Sequence, residues 1–314
     1  MNNSTVATEI FTENYVLESV CDWIDKAKQR ETKQLFTWYL ATAVVNIVLL
    51  ITTSCGNILI LFALQKEYTL SASSRILFRS LAASDLCVGL VSQPLFVVSI
   101  LLISNGHWEV CCLMRYATYV VSTTLCGVSL LTVTAISMDR LLVLLLKSKY
   151  GLIVTSTRVK VVVVFFWIFS LSVSTAYLVS IRIFFTVSCV VIMLSIFISA
   201  YSYSSIFILL RRRQRLKIQD KCRGQINSFQ LQRERRYQST VYSALWFHFA
   251  LVICYLPFSV LEAMAVAIGT PLPVFIAGSF TGTLIYLNSM INPLLYCWKI
   301  KEVRQAVKQI VSWS

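Results

Sequence analysis

Seven long stretches almost free of charge dominate this 314-residue chain. Lys33 and Lys66 enclose 32 uncharged residues, Arg115 and Asp139 enclose 23, Lys160 and Arg182 enclose 21, and Arg182 and Arg211 enclose 28. Arg236 and Glu262 enclose 25, and Glu262 and Lys299 enclose 36, with Pro271 and Pro273 near the start. The remaining run, Arg79 to Glu109, is broken only by Asp85. A helix rises about 1.5 Å per residue, so each run is long enough to cross ~30 Å of hydrocarbon. Barrel strands alternate over about ten residues and have no use for such runs. The expected fold is an all-α membrane protein, a seven-transmembrane helix bundle, its helices called spans 1 to 7 below.

Composition supports this. The chain is 57% hydrophobic and 13% charged, with a mean hydropathy of +0.72. A soluble domain carries about 25% charged residues to cover its surface. A cytosolic enzyme, a nucleic-acid binder and a disordered chain are therefore excluded, and the natural partner of the surface is the lipid bilayer. The ten cysteines are scattered without metal-ligand spacing, so neither a zinc nor a redox framework is expected.

The net charge of +14 then records topology rather than nucleic-acid binding. With the N-terminus outside, 22 of the 28 Lys and Arg residues fall on the inner side and 6 on the outer side, which is the positive-inside arrangement. Residues 1–34 form the outer segment, 35–298 the bundle and 299–314 the inner tail. Asn2 and Asn3 open two overlapping N-x-S/T sequons on the outer side. No cleavable signal peptide is evident, so span 1 is expected to direct insertion. Spans 4 and 5 meet around Arg182 with almost no loop. The longest inner loop is expected at about 212–235, basic and polar. In the tail, Ile300, Val303, Val307 and Ile310 recur at helical spacing opposite Lys and Arg, which predicts a short amphipathic helix on the inner leaflet. No internal repeat supports an inverted-repeat transporter.

Polar residues inside spans mark function by default, because hydrocarbon does not solvate them. Asp85 in span 2 is the sharpest. Asn57 of span 1, Ser129 of span 3 and Asn288, Ser289 and Asn292 of span 7 are its candidate neighbours. One carboxylate with several neutral oxygens suits a desolvated monovalent cation, a water cluster, or a hydrogen-bond hub without an ion. Pro257, in Cys254-Tyr255-Leu256-Pro257, and Pro293, in Asn292-Pro293-Leu294-Leu295-Tyr296, predict kinks in spans 6 and 7. Kinks in two adjacent helices suggest elements that swing. Asp139-Arg140 closes span 3; the Arg either pairs locally, snorkels to the interface or meets a guest helix once the bundle opens.

Together these motifs resemble a rhodopsin-like (class A) G-protein-coupled receptor over about residues 35–310. The resemblance is carried by Gly56-Asn57, Leu81 with Asp85, Asp139-Arg140, Trp167, Tyr203, Cys254 with Pro257, and Asn292-Pro293 with Tyr296, in order on seven spans. It implies a plasma-membrane receptor with an extracellular N-terminus and an extracellular ligand, and no covalent chemistry of its own. Outward movement of span 6 would expose Arg140 to a heterotrimeric G protein, with arrestin as a second inner partner. Tyr203 and Tyr296 would support the open state, and Tyr255, Pro257, Asn292 and Pro293 would form the switch. Asp85, Ser129, Asn288, Ser289 and Asn292 match positions that surround a sodium ion in many such receptors; no other cofactor is implied. The short link between spans 4 and 5, the absence of proline in span 5, and the stretch from Asp139 to Tyr150 look melanocortin/cannabinoid-like.

The chain departs from the family pattern in places. Leu141 replaces the usual Tyr after Asp-Arg, Tyr255 the usual span-6 Trp, and Leu251 a Phe. The site of the span-6 latch acid is Tyr237, with Glu234 one turn away. The usual span-3 cysteine is displaced, since Arg115 holds its place and Cys111-Cys112 precede it. Cys21 shares their oxidising compartment, so a bridge from Cys21 to Cys111 or Cys112 is expected, with free or mutually adjacent thiols as the alternative. Ser122 stands where aminergic receptors carry an acid, which disfavours a primary-amine neurotransmitter. No Lys lies between Lys221 and Lys299, which excludes a retinal Schiff base. The acidic cluster of melanocortin receptors is absent, with Leu95, Arg115 and Tyr119 in its place. Candidate ligand-binding residues are Gln93, Arg115, Tyr119, Ser122, Thr123, Cys126, Tyr255, Phe258, Glu262 and Tyr286. Arg115 and Glu262 either receive a zwitterionic or peptide ligand or pair with each other or with solvent. The rivals are a transporter or channel using Asp85 as its ion site, and a ligand-independent receptor or dimer partner.

Overall fold

The structure, a computed structural model, describes residues 33–66, 71–104, 108–221, 228–268, 272–299 and 304–305. Cys21, Asn2, Asn3 and most of the tail helix lie outside the described residues, as do the side chains of Cys111, Cys112, Glu234, Tyr237 and Tyr296. Among the described residues every regular element is helical. Span 1 is Lys33–Lys66. Span 2 is Ala72–Cys87, a π turn Val88–Ser92, and Gln93–Ser104. Span 3 is Trp108–Leu146, span 4 Ser156–Val179, span 5 Ile181–Lys221, span 6 Ser228–Ile268 and span 7 Leu272–Lys299. Six of these are long and apolar enough to cross a membrane on length and hydropathy alone. Span 7, at 28 residues, packs between spans 1 and 6 and completes the bundle.

The packing is that of a protein solvated by lipid. Span 4 turns Val161, Val164, Phe165, Ile168, Leu171 and Leu178 outward, all exposed. Asn46, Asn57, Ser84, Asp85, Ser129, Thr132 and Ser174 are fully buried. Many Ser and Thr hydroxyls reach back to the carbonyl four residues earlier, as Thr132 does to Val128 at 2.7 Å and Ser174 to Ser170 at 2.7 Å. This satisfies them without water, which hydrocarbon does not supply.

Two local features position the interior. Pro94 has no N–H to donate, and its ring crowds the carbonyl four residues back. The helix widens just before it: the Gln93 N–H reaches the Val88 carbonyl, five residues away, through the π turn. Gly89 lies in that turn against span 1, where a Cβ would stand 2.6 Å from Ser54 Oγ and 3.2 Å from its backbone nitrogen. Only glycine permits that approach.

The link between spans 4 and 5 is a single residue, Ser180. Its extended backbone (φ −154°, ψ 112°) ends span 4, and its carbonyl accepts from the Phe184 N–H at 3.0 Å to start span 5. The expected long inner loop is shorter than the charge pattern implied. Span 5 continues to Lys221 and span 6 begins at Ser228. The Arg, Lys, Gln and Leu residues of this stretch are good helix formers, so both helices run past the membrane. Span 3 ends at a Lys147 held at φ 45°, a left-handed cap that turns the chain back beneath the bundle into the short helix Tyr150–Ile153.

Candidate functional site

Three polar layers lie along the inward stripe of span 3. At the outer end the helices enclose a cavity of about 1160 Å³, its mouth included. Arg115, Tyr119, Ser122, Thr123, Cys126, Tyr255, Phe258, Glu262 and Tyr286 all line it. Gln93 does not; it is fully buried, with neither amide atom hydrogen-bonded among the described residues. Phe96 and Ser99 form that part of the wall instead. The π turn carries an extra residue, so everything beyond it is rotated from where a continuous helix would place it. The cavity floor holds two cross-helix bonds. Ser122 Oγ and the Tyr286 hydroxyl lie 2.8 Å apart, joining spans 3 and 7. The Tyr255 hydroxyl donates to the Cys126 carbonyl at 3.2 Å, joining spans 6 and 3. Arg115 and Glu262 do not pair, since neither oxygen of Glu262 has a hydrogen-bond partner among the described residues.

The middle layer centres on Asp85, which is fully buried. Ser129 Oγ donates to its Oδ1 at 2.7 Å and Asn292 Nδ2 to its Oδ2 at 2.8 Å. Ser289 also faces the carboxyl. Asn57 is not a direct neighbour: its amide donates to the carbonyls of Thr53 at 2.9 Å and Ser289 at 3.2 Å, tying span 1 to span 7 where Pro293 presses on Gly56. Asn288, one turn before Asn292, is buried with its Nδ2 unpartnered among the described residues. One charge with the Ser129 and Ser289 hydroxyls and two span-7 amides around it is a set that could hold a sodium ion if the amides turned their oxygens inward.

The inner layer surrounds Arg140. The Asp139 carboxylate is buried and doubly engaged, accepting from Ser74 Oγ of span 2 at 2.8 Å and from the Tyr150 hydroxyl. Arg140 Nη2 lies 3.3 Å from Asp139 Oδ2, but at an angle that makes no hydrogen bond, and its guanidinium sits 5.4 Å from the centre of the Phe78 ring. The local pair read from the sequence is present, though as a charge contact only. Tyr203 is buried, and its hydroxyl accepts from Ser137 Oγ at 2.7 Å. Pro257 and Pro293 both lie inside their helices. The sequence reading missed Ser74, Tyr150, Ser137 and the Cys126 carbonyl. Only Tyr150 carried a signal, through the likeness of its loop.

Comparisons with known proteins bear on this arrangement. A family model described as "7 transmembrane receptor (rhodopsin family)" matches residues 56–296. Melanocortin receptor 5 of Rattus norvegicus is 24% identical over 267 residues, covering 81% of this chain and 79% of that protein. Histamine H2 receptor of Rattus norvegicus is 25% identical over 293 residues, covering 85% and 78%. The Cavia porcellus histamine H2 receptor is 29% identical over 140 residues, a match spanning 44% of this chain and 38% of that protein. With the family model running from span 1 to the end of span 7, across all three polar layers, the chain belongs to the rhodopsin family of seven-transmembrane receptors, the class A G-protein-coupled receptors.

Proposed function

We propose that the chain is a plasma-membrane receptor, N-terminus extracellular, that answers an extracellular ligand by promoting nucleotide exchange on a heterotrimeric G protein. The observation that carries the reading is the state of Arg140. Its acidic neighbour is already committed to Ser74 and Tyr150, and among the described residues the guanidinium is held by one unaligned charge contact and a ring face. Such an arginine is ready to change partner when the inner ends of the spans separate, and a G-protein helix is a fitting partner. Pro257 and Pro293, inside spans 6 and 7, give each helix a point about which it can swing, and Tyr203, Tyr255 and Tyr296 are the residues that exchange contacts during it. Arrestin would use the same opening.

The ligand enters the outer cavity. The names of the relatives point to melanocortin and to histamine, and neither ligand transfers at 24–25% identity. Asp85, with Ser129, Asn288 and Asn292, holds a sodium ion in this reading. The ion supplies the positive charge that a membrane-buried carboxylate lacks. In this reading Cys21 bridges to Cys111 or Cys112 and Asn2 and Asn3 carry glycans, all on the outer face.

The test is nucleotide exchange on purified G protein by receptor reconstituted in bilayer discs. Arg140→Ala is expected to fall to the receptor-free rate while surface expression is kept. Exchange equal to wild type would remove Arg140 from this role.

A further inference from the structure

Glu262 is the least explained group in the molecule. It sits in span 6 on the cavity wall, 2% exposed, with both carboxylate oxygens lacking a hydrogen-bond partner among the described residues. A carboxylate at that depth needs an opposite charge, a proton or donors, and among the described residues no hydrogen-bond donor reaches it. Arg115, the other charged residue on the wall, makes no hydrogen bond to it. We propose that the outer cavity takes an organic monocation, an ammonium on an aromatic or aliphatic body, with Glu262 as its counter-charge. This rests on the receptor reading above and gives it a ligand class.

The walls support the choice. Beside Glu262 the surface is aromatic: Tyr119, Phe258 and Tyr255 line the cavity. Tyr119 is held face to face on Tyr177, with ring centres 4.8 Å apart and planes 8° apart. That aromatic group packs against Ala265 and Val266, one turn along span 6 from Glu262. A fixed ring near an acid favours an ammonium, which gains from both. A bare metal ion is a poor fit, because one carboxylate among rings offers too few oxygens. The missing span-3 acid at Ser122 does not bar such a ligand, because the counter-charge comes from span 6.

The experiment uses the full-length purified receptor without G protein. Thermal unfolding is followed with 2-phenylethylamine, tryptamine and cyclohexylethylamine up to millimolar concentration, each beside its N-acetyl derivative. At least one amine is expected to raise the unfolding temperature while its acetyl derivative does not. Glu262→Gln keeps the shape without the charge and is expected to weaken that amine by about 10- to 100-fold, the worth of a hydrogen bond to a charged group. Amine and acetyl derivative acting alike on wild type, Glu262→Gln responding like wild type, or no amine acting at all would each overturn the proposal. The wild-type comparison stands even where Glu262→Gln does not fold. Nucleotide exchange is read separately, so binding without exchange would strike the receptor reading and leave this site in place.

Discussion

Removing one oxygen from Tyr255 tests whether the cavity floor holds the bundle closed. The Tyr255 hydroxyl is buried and donates across the helix interface to the Cys126 carbonyl at 3.2 Å. Tyr255→Phe keeps the ring, its packing and the adjacent Pro257. The carbonyl it abandons still has its helical partner, so no orphaned acceptor inflates the effect. A single such bond nets about 1 kcal/mol. If outward movement of span 6 breaks it, the closed state alone loses that amount, and the ratio of open to closed receptor rises about fivefold. Basal nucleotide exchange on purified G protein, at matched receptor amounts, should rise by that factor, and the unfolding temperature should fall slightly. A lower unfolding temperature with unchanged basal exchange would refute the reasoning, because the bond would then be present in both states.

Other predictions follow from the two inner layers. Asp85→Asn should abolish any difference in agonist affinity between sodium and an impermeant organic cation at equal ionic strength, whereas wild type should bind agonist more weakly in sodium; coincident wild-type curves would strike the ion from the account. Tyr150→Phe releases one oxygen of Asp139 to Arg140, so basal exchange should fall about two- to fivefold, in line with one charge-assisted contact shared with solvent; a rise would show that Tyr150 restrains Arg140 through the loop instead.

What was legible in the sequence was what stands out against an apolar background. The spans could be counted because charge interrupts them, and Asp85, Ser129 and Asn292 could be assembled because few polar groups compete for a buried carboxylate. Nine of the ten cavity residues named through the receptor resemblance line one cavity, because a helix carries a face faithfully until it changes pitch. Gln93 failed where Pro94 makes it do so. The Tyr255 bond was invisible because its acceptor is a backbone carbonyl, which every residue has. The Tyr150 bond depends on the left-handed turn at Lys147, and a lysine gives no warning of positive φ. The helices beyond 212 and before 235 were read as loop because basic, polar sequence describes a solvated helix as well as a loop.

Span 3 is where these contacts meet. Ser122, Cys126 and Ser129 are spaced three or four residues apart, so one stripe of span 3 faces span 7, then span 6, then the Asp85 cluster. The same helix carries Ser137 to Tyr203 and Asp139 to Ser74 and Tyr150. A contact route is not yet coupling; coupling needs bonds that differ between two states. The Ser122–Tyr286 and Tyr255–Cys126 bonds share a wall with the cavity, so a bound ligand competes with them directly for space and for hydrogen bonds. Breaking both would shift the balance by about 2 kcal/mol, or roughly thirtyfold. That lies inside the range typical of allosteric coupling. If both bonds belong to the closed state alone, disturbing these two hydroxyls on the cavity floor would move the inner face without any ligand contact to the Asp85 cluster or to Arg140.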